Sequence, residues 1–450
     1  MRSHFASGAT RPLDARLAAL SRLEEVVISN EHELLDAMHD DLGKPRPEGW
    51  LTEIALVRGA IRDLRARLPG FVRQKRAGVP LVQRPGRARV ERQPLGCCLV
   101  VAPWNYPVQL LLIPAATALA AGNVVIAKPS ELAAATSEVL ARCCNAAFDP
   151  RVFRVLEGGA ELTQSLIASG LDHVFFTGST QTGKAIMSAA ATHLTPVTLE
   201  LGGKSPAFVD NDADLGVAAR RIAFAKFLNA GQSCVAPDYV LAHTDIAAAF
   251  TGELTRAVTR FYGNRPAASP DFGRIVNDAH LERLAKLLEA HHGRTVIGGE
   301  IDASTRYVAP TVILDPDAQS AMMQEEIFGP ILPVVGVASA TDAVHEIAGR
   351  PSPLAIYCFT NSPSTMRLFE EGTRSGSISQ NTAAEHFALM SLPFGGVGES
   401  GMGAYHAGAG LETFTYARTH FTRGTTPETT LAYPPSSALK TSILRRLLRG

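Results

Sequence analysis

Between residues 95 and 201 the chain alternates short apolar runs of strand length with longer runs of helical length, and this rhythm restricts the fold more than any other feature. Strand-length runs lie at 97–102, 123–127, 152–155, 173–176 and 196–201; helix-length runs lie at 108–121, 134–147, 161–168 and 182–192. An α/β fold is expected, with a doubly wound sheet that binds its ligand at the carboxyl ends of the strands. A second alternation starts after Gly203, with a helix at 214–228, strands near 238–242 and 310–314, and a Gly-rich stretch at 395–403. Upstream, residues 13–40 and 50–72 show helical apolar spacing, as in Leu13, Leu17, Leu20 and Leu23. No internal repeat of fixed period is apparent.

Composition narrows the class. A chain of 450 residues exceeds one ordinary core, so two or more domains are expected. With 43 basic and 43 acidic residues the formal charge is zero, which gives no electrostatic case for nucleic acid as a partner. The six cysteines include the adjacent pairs Cys97-Cys98 and Cys143-Cys144, and neither pair has zinc spacing. They read as buried reduced thiols, which points to a reducing compartment and a cytoplasmic location. The thirteen histidines show no metal-ligand spacing, so no metal is expected. Met1 to Pro12 contains no apolar core of a secretory signal. The apolar stretch Pro107 to Ala127 is cut by Gly122-Asn123 and reads as a buried helix turning into a buried strand.

Three side chains carry the chemistry. Cys234 lies in Gly231-Gln232-Ser233-Cys234, ahead of Pro237. A cysteine is a useful nucleophile once its thiolate is stabilised. Glu200 stands 34 residues earlier, at the end of an apolar strand and before Gly202-Gly203. A carboxylate at the carboxyl end of an α/β strand faces the ligand crevice, where it can activate water. Asn105, in Pro103-Trp104-Asn105-Tyr106-Pro107, follows another apolar strand, and an amide there can donate to a developing oxyanion. The segment Phe176-Thr177-Gly178-Ser179-Thr180-Gln181-Thr182-Gly183-Lys184 follows a strand and opens a helix. It lacks the general dinucleotide pattern G-x-G-x-x-G and is not read as a nucleotide P-loop.

Together the segments around Glu200 and Cys234 resemble the two signature segments of aldehyde dehydrogenases, and the resemblance runs from about residue 10 to about residue 425. It implies a Rossmann-like cofactor domain at 1–80 and 94–202, an α/β catalytic domain at 203–404, a small oligomerisation element at 81–93 and 411–424, and a tail at 425–450. It implies oxidation of an aldehyde to the carboxylic acid through a thiohemiacetal and a thioester on Cys234, with Asn105 and the Cys234 N–H as the oxyanion hole and Glu200 activating water. Further implied cofactor residues are Gly178, Ser179 and Gly183 at the Gly-Ser-Thr turn, Lys128 and Glu131 at the adenosine ribose, and Glu326 and Phe328 at the nicotinamide ribose and ring. Trp104 and Gly202 complete that set. A glutamate at position 131 favours NAD, with NADP possible. The alternatives are a CoA-acylating enzyme, which needs no water-activating Glu200, and a non-catalytic binding protein on the same fold.

The run Cys234-Val-Ala-Pro-Asp-Tyr-Val-Leu, with Ser400-Gly-Met-Gly-Ala-Tyr-His406, is similar to the class 3 branch. That likeness implies a homodimer acting on medium or long aliphatic or aromatic aldehydes. His386 is at best a substrate-channel residue. In the tail, Leu439, Ile443, Leu444, Leu447 and Leu448 fall on one helical face, with Lys440, Arg445, Arg446 and Arg449 mostly elsewhere. Such a helix suits peripheral contact with an anionic membrane or a cap at the substrate entrance, and it is too short to span a bilayer.

Overall fold

The strand-length runs of residues 97–201 form one sheet in the computed structural model, which describes residues 1–448. Across that six-stranded sheet the order is Gly401–Met402, Val197–Leu201, His173–Gly178, Cys97–Val101, Val124–Lys128 and Phe153–Val155. All neighbours are parallel except the short edge strand Gly401–Met402. The chain begins at Cys97–Val101, steps outward twice, then returns to the other side of its first strand. Loops therefore leave the carboxyl ends of Cys97–Val101 and His173–Gly178 in opposite directions, and a crevice opens between them.

Burial explains the apolar runs. All five residues of Cys97–Val101 are buried, as a strand covered by helices on both faces requires. All thirteen residues of the helix Gln109–Ala121 are buried as well, and Gly122 ends it in the left-handed conformation. The stretch Pro107 to Ala127 is thus a core helix followed by a core strand. No helix among the described residues is long and apolar enough to cross a membrane.

The N-terminal pattern resolves into more pieces than its spacing predicts. Residues 13–40 make two helices, Leu13–Ser29 and Glu31–Leu42, broken at Asn30. There the Asn30 side chain donates to the Val26 carbonyl at 2.7 Å and competes with the helical ladder. Residues 50–72 start as a π-helical turn, Trp50–Ile54, before the helix Ala55–Phe71. These helices share one apolar cluster with the first sheet, through Leu20, Ile61, Leu112, Cys98 and Phe175.

After Gly202–Ser205 the chain builds a seven-stranded sheet in the order Arg294–Ile297, Thr311–Leu314, Ile331–Val337, Tyr239–His243, Pro206–Val209, Ala355–Phe359, Ser377–Gln380. Only Arg294–Ile297 is antiparallel to its neighbour. A third sheet pairs Gly86–Pro94 with Thr415–Arg423, in register from Pro94↔Thr415 to Gly86↔Arg423. Lys75–Ala77 adds a strand that its sequence did not announce, while Leu81–Gln83 is a 3₁₀ turn and not part of a strand. Thr415–Arg423 is hydrogen-bonded on one side only, and Tyr416 and Phe421 on it are exposed. The tail forms the helix Ala438–Leu447, capped by the Ser437 hydroxyl, which accepts from the Lys440 N–H at 3.2 Å. Arg449 lies outside the described residues.

Phe175 tests the first core. Its ring is fully buried, edge-on to Tyr405 at 5.2 Å and stacked with Phe414 at 5.9 Å. Phe175→Ala should cost about 3–5 kcal/mol in urea unfolding. A loss below about 1 kcal/mol would show that this cluster does not hold the sheet to the C-terminal segment.

Candidate active site

Cys234 follows a strained turn. The helix Leu215–Phe227 gives way to Leu228–Gly231, where Asn229 and Ala230 both take φ 51°. Left-handed backbone at non-glycine residues costs on the order of 1–3 kcal/mol and persists only when the surroundings fix it. Here the Asn229 N–H donates to Glu48 Oε1 at 2.8 Å, and Gln232 Nε2 donates to the Asn229 carbonyl at 2.9 Å. Gln232 Oε1 accepts from the Val276 N–H at 3.0 Å. Gly231 follows with φ 75°, and a Cβ there would meet the Gly329 carbonyl. Cys234 leaves this turn partly exposed to a narrow cavity. Loss of solvent pushes its thiol up to about 12, the charges of Glu326 and Glu200 add to the rise, and the N–H groups of Cys234 and Val235 oppose it.

Glu200 is the fourth residue of the strand Val197–Leu201 and is 3% exposed. Among the described residues neither of its carboxylate oxygens has a hydrogen-bond partner, and burial raises its pKa well above the usual carboxylate range. Burial of that kind favours the neutral form of the carboxyl group. Asn105, on the loop after Cys97–Val101, is also buried. Its Nδ2 donates to the Gln232 carbonyl at 3.0 Å, two residues before the nucleophile, and its Oδ1 has no partner. The side chains of Asn105, Glu200 and Cys234 therefore come from three separate segments and meet at the crevice.

Two cavities share this point. The first, about 1100 Å³, is bounded by Trp104, Asn105, Gly178, Ser179, Glu200, Gly202, Cys234, Glu326 and Phe328, among others. The second, about 470 Å³, is mainly apolar and is bounded by Tyr106, Leu354, Phe387, Phe394 and Tyr405 beside Cys234. Cys234, Glu200, Thr177, Leu110 and Leu201 bound both. The sulfur thus stands in the wall between a polar cleft and an apolar pocket.

The larger cleft fits a dinucleotide. At one side the helix Thr180–Ala191 begins, with Ser179 as its cap accepting from the Thr182 N–H at 3.2 Å, and a helix start attracts phosphate. At the other, Glu326 Oε1 is buried without a partner, which suits a sugar hydroxyl donor. Burial pushes this carboxyl up to about 8, and Asp238 adds to the rise. A Cβ at Gly202 would run into the Glu326 carboxylate, so only glycine leaves it in place. Phe328, with φ 48°, meets Trp104 edge-on at 5.5 Å.

Three residues of the expected set do not bound this cleft. Gly183 faces Leu201, where a Cβ would clash, so its part is close packing of helix on strand. Lys128 and Glu131 lie at the end of the neighbouring strand. There Lys128 Nζ bonds Glu131 Oε2 at 2.9 Å and the Gly158 carbonyl at 2.7 Å. The spacing Gly178-x₄-Gly183-Lys184 matches the glycine and lysine positions of a P-loop. However, residue 185 is alanine where a P-loop needs Ser or Thr, and the Lys184 amine lies 3.5 Å from Glu399. His386 bonds Ser377 Oγ at 2.9 Å and stacks behind Phe394 at 5.8 Å, one layer out from the pocket.

Several lining residues carry no sequence signal. Thr177 Oγ1 is buried and unpartnered beside both cavities. His280 packs on Trp104 at 5.1 Å, and Arg283 donates to the Glu326 and Ile327 carbonyls at 3.3 and 2.5 Å. Only the register Thr177↔Glu200 on adjacent strands brings Thr177 to the site, and His280 and Arg283 arrive on a helix of the second half of the chain.

The profile of the Aldehyde dehydrogenase family matches residues 1–420. Aldehyde dehydrogenase family 3 member A2 of Rattus norvegicus is 42% identical over 444 residues, covering 98% of this chain and 91% of that protein. Family 3 member B1 of Homo sapiens is 42% identical over 450 residues, covering 99% and 95%. Among solved structures, the substrate-bound AldH of Staphylococcus aureus superposes with a TM-score of 0.96 at 39% identity, covering 99% of this chain and 97% of that one. The P. syringae indole-3-acetaldehyde dehydrogenase AldA, solved with NAD+ and IAA, gives 0.87 at 28% identity, covering 94% and 87%. The chain therefore belongs to the aldehyde dehydrogenase family: it is an enzyme that oxidises an aldehyde to the carboxylic acid with NAD(P) as acceptor.

Proposed function

We propose that the apolar pocket takes medium or long aliphatic or aromatic aldehydes and that Cys234 processes them covalently. The observation that carries this reading is the position of Cys234 in the wall between the apolar pocket and the dinucleotide cleft. A carbonyl held in the pocket reaches the sulfur from one side, and NAD(P) bound in the cleft supplies the hydride acceptor from the other. The Cys234 thiolate, its proton first lost to solvent, adds to the carbonyl carbon, and the new oxyanion lies with the Asn105 amide and the Cys234 N–H as donors. Loss of hydride leaves a thioester on Cys234. Glu200, in its ionised form, takes a proton from water as that water attacks the thioester, and the acid leaves with the thiol restored. Glu326 and Phe328 would hold the nicotinamide end and Gly178 and Ser179 the phosphates; Lys128 and Glu131, outside the lining of the cleft, would meet the adenosine ribose where the dinucleotide extends past it. The negative charge of Glu131 favours NAD over NADP by repelling a 2′-phosphate.

The six-stranded sheet with the N-terminal helices is the cofactor-binding unit, and the seven-stranded sheet is the catalytic unit. The free edge of Thr415–Arg423, with exposed Tyr416 and Phe421, suits pairing with a second copy in a cytoplasmic homodimer. In the tail helix the apolar side chains of Leu439, Ile443 and Leu447 are exposed beside basic Lys440, Arg445 and Arg446. That arrangement suits peripheral contact with an anionic lipid surface.

Cys234→Ala should lower turnover on an aldehyde panel by about 10³-fold or more while the protein still binds NAD. Turnover near wild type would remove the cysteine from the mechanism. The high thiol value has its own signature. A raised pKa keeps the sulfur protonated at pH 7, so alkylation of Cys234 by iodoacetamide in the cofactor-free protein should climb about tenfold per pH unit from 7 to 9.5. A plateau below pH 8 would mean that the thiolate already exists at rest. Glu200→Gln should spare the first turnover more than the steady state, giving a burst of NADH and then a slow phase; equal loss of both would move Glu200 to an earlier step. Truncation after Pro435 should weaken co-sedimentation with anionic liposomes and slow C12–C16 aldehydes more than short ones. If neither readout moves, the tail is structural only.

A further inference from the structure

Beneath the site lies a fully buried ion pair that the mechanism above does not use. Lys44 and Glu53 are both 0% exposed, with Lys44 Nζ and Glu53 Oε1 2.5 Å apart. A buried pair of this kind gains little net stability over apolar residues of the same size, so its presence calls for another reason. Its remaining bonds supply one. Lys44 Nζ also donates to the Asn105 carbonyl at 3.0 Å and lies 4.3 Å from the centre of the Tyr106 ring. Glu53 Oε2 accepts from the Val108 and Gln109 N–H groups at 2.8 and 3.0 Å, at the start of the helix Gln109–Ala121. The five residues Asn105 to Gln109 are therefore clamped at both ends, the first carbonyl by the cation and the last two amides by the anion. The Asn105 carbonyl accepts a second bond, from Asn229 Nδ2 at 2.8 Å, and Asn229 Nδ2 also reaches the Gln232 carbonyl at 3.2 Å. The clamp thus continues into the strained turn that carries Cys234.

We propose that Lys44 and Glu53 are positioning residues for the reaction: by gripping both ends of Asn105–Gln109 they aim the Asn105 amide at the place where the oxyanion forms. This inference rests on the reading of Asn105 as an oxyanion donor. A preorganised donor contributes because it needs no reorientation during the reaction, and a misplacement on the order of 1 Å can cost about a hundredfold in rate. Neither residue touches substrate, so the loss should fall on the chemical step and leave the binding of aldehyde and NAD nearly unchanged.

The test is a double-mutant cycle read by single-turnover NADH formation in the full-length enzyme. Lys44→Met alone strands a buried carboxylate and threatens folding, so the working variant is Lys44→Met with Glu53→Gln. That pair removes both charges, while the Gln oxygen still accepts at the helix start. It should slow hydride transfer about ten- to a hundredfold with KM for NAD and aldehyde within about twofold. Asn105→Ala alone should slow hydride transfer by about a hundredfold. Adding the Lys44/Glu53 changes to Asn105→Ala should then slow it no further, because the clamp has nothing left to aim. Lys44→Arg, which keeps a cation there, should recover part of the rate. Independent, multiplying losses in the combined variant would overturn the positioning role while leaving the Asn105 reading intact. A loss confined to KM for NAD would overturn it too. If Asn105→Ala itself left hydride transfer unchanged, the oxyanion reading would fail first and carry this inference with it.

Discussion

Everything at the site depends on the reversal of strand order beside Cys97–Val101. Strands added on one side send their loops one way, and strands added on the other send theirs back, so the two sets of loops part at the sheet's carboxyl edge. Into that gap fall the Asn105 loop from one side and the Gly178-Ser179 turn from the other. The buried helix Gln109–Ala121 gives the gap its floor, since all its side chains are packed and its start is tied by Glu53. A sheet wound in a single direction would place the same residues at separate loops with no shared crevice.

The second constraint is electrostatic. Glu200, Glu326 and the Cys234 thiol are enclosed with orphaned oxygens on both carboxylates, and among the described residues no counter-cation is bonded to them. Each is pushed toward its neutral form, chiefly by loss of water, and the thiol is also raised by the two carboxylates. Such a cluster is costly in a resting protein. It becomes intelligible on the proposed mechanism, in which a bound ligand brings a partner for each: a sugar hydroxyl for Glu326, a water molecule for Glu200, a carbonyl carbon for the sulfur. Of the nearby cations, Lys44 is bonded to Glu53 and the Asn105 carbonyl, and Arg283 to the Glu326 and Ile327 carbonyls. Strain is held nearby in the same manner. The left-handed turn Asn229-Ala230 is locked by Asn229 donating to Glu48 and to the Asn105 carbonyl and accepting from Gln232, so the Cys234 turn and the Asn105 loop are parts of one hydrogen-bonded unit.

What could be read from the sequence was whatever is local. The strand and helix runs at 97–201 announced themselves because a strand buried on both faces must be continuously apolar and a core helix more so. The segments around Glu200, Cys234 and Asn105 were legible because reactive side chains there are flanked by glycines and prolines whose backbone demands are local too, such as Gly231 at φ 75°. The break at Asn30 and the strand Lys75–Ala77 were not legible, since one depends on a side-chain bond and the other on a partner strand supplied by Gly86–Pro94.

The sequence by itself therefore determined the α/β class, the order of elements between residues 97 and 201, and the three residues proposed for the chemistry. Only the tertiary structure decided that Lys44 and Glu53 lie under Asn105, that Thr177 stands beside Glu200, and that Cys234 separates a polar cleft from an apolar pocket. The reason is physical. Periodicity and turn chemistry are set by neighbours a few residues away. A buried ion pair, an orphaned carboxylate and a cavity wall are set by what the packing of distant segments leaves without water.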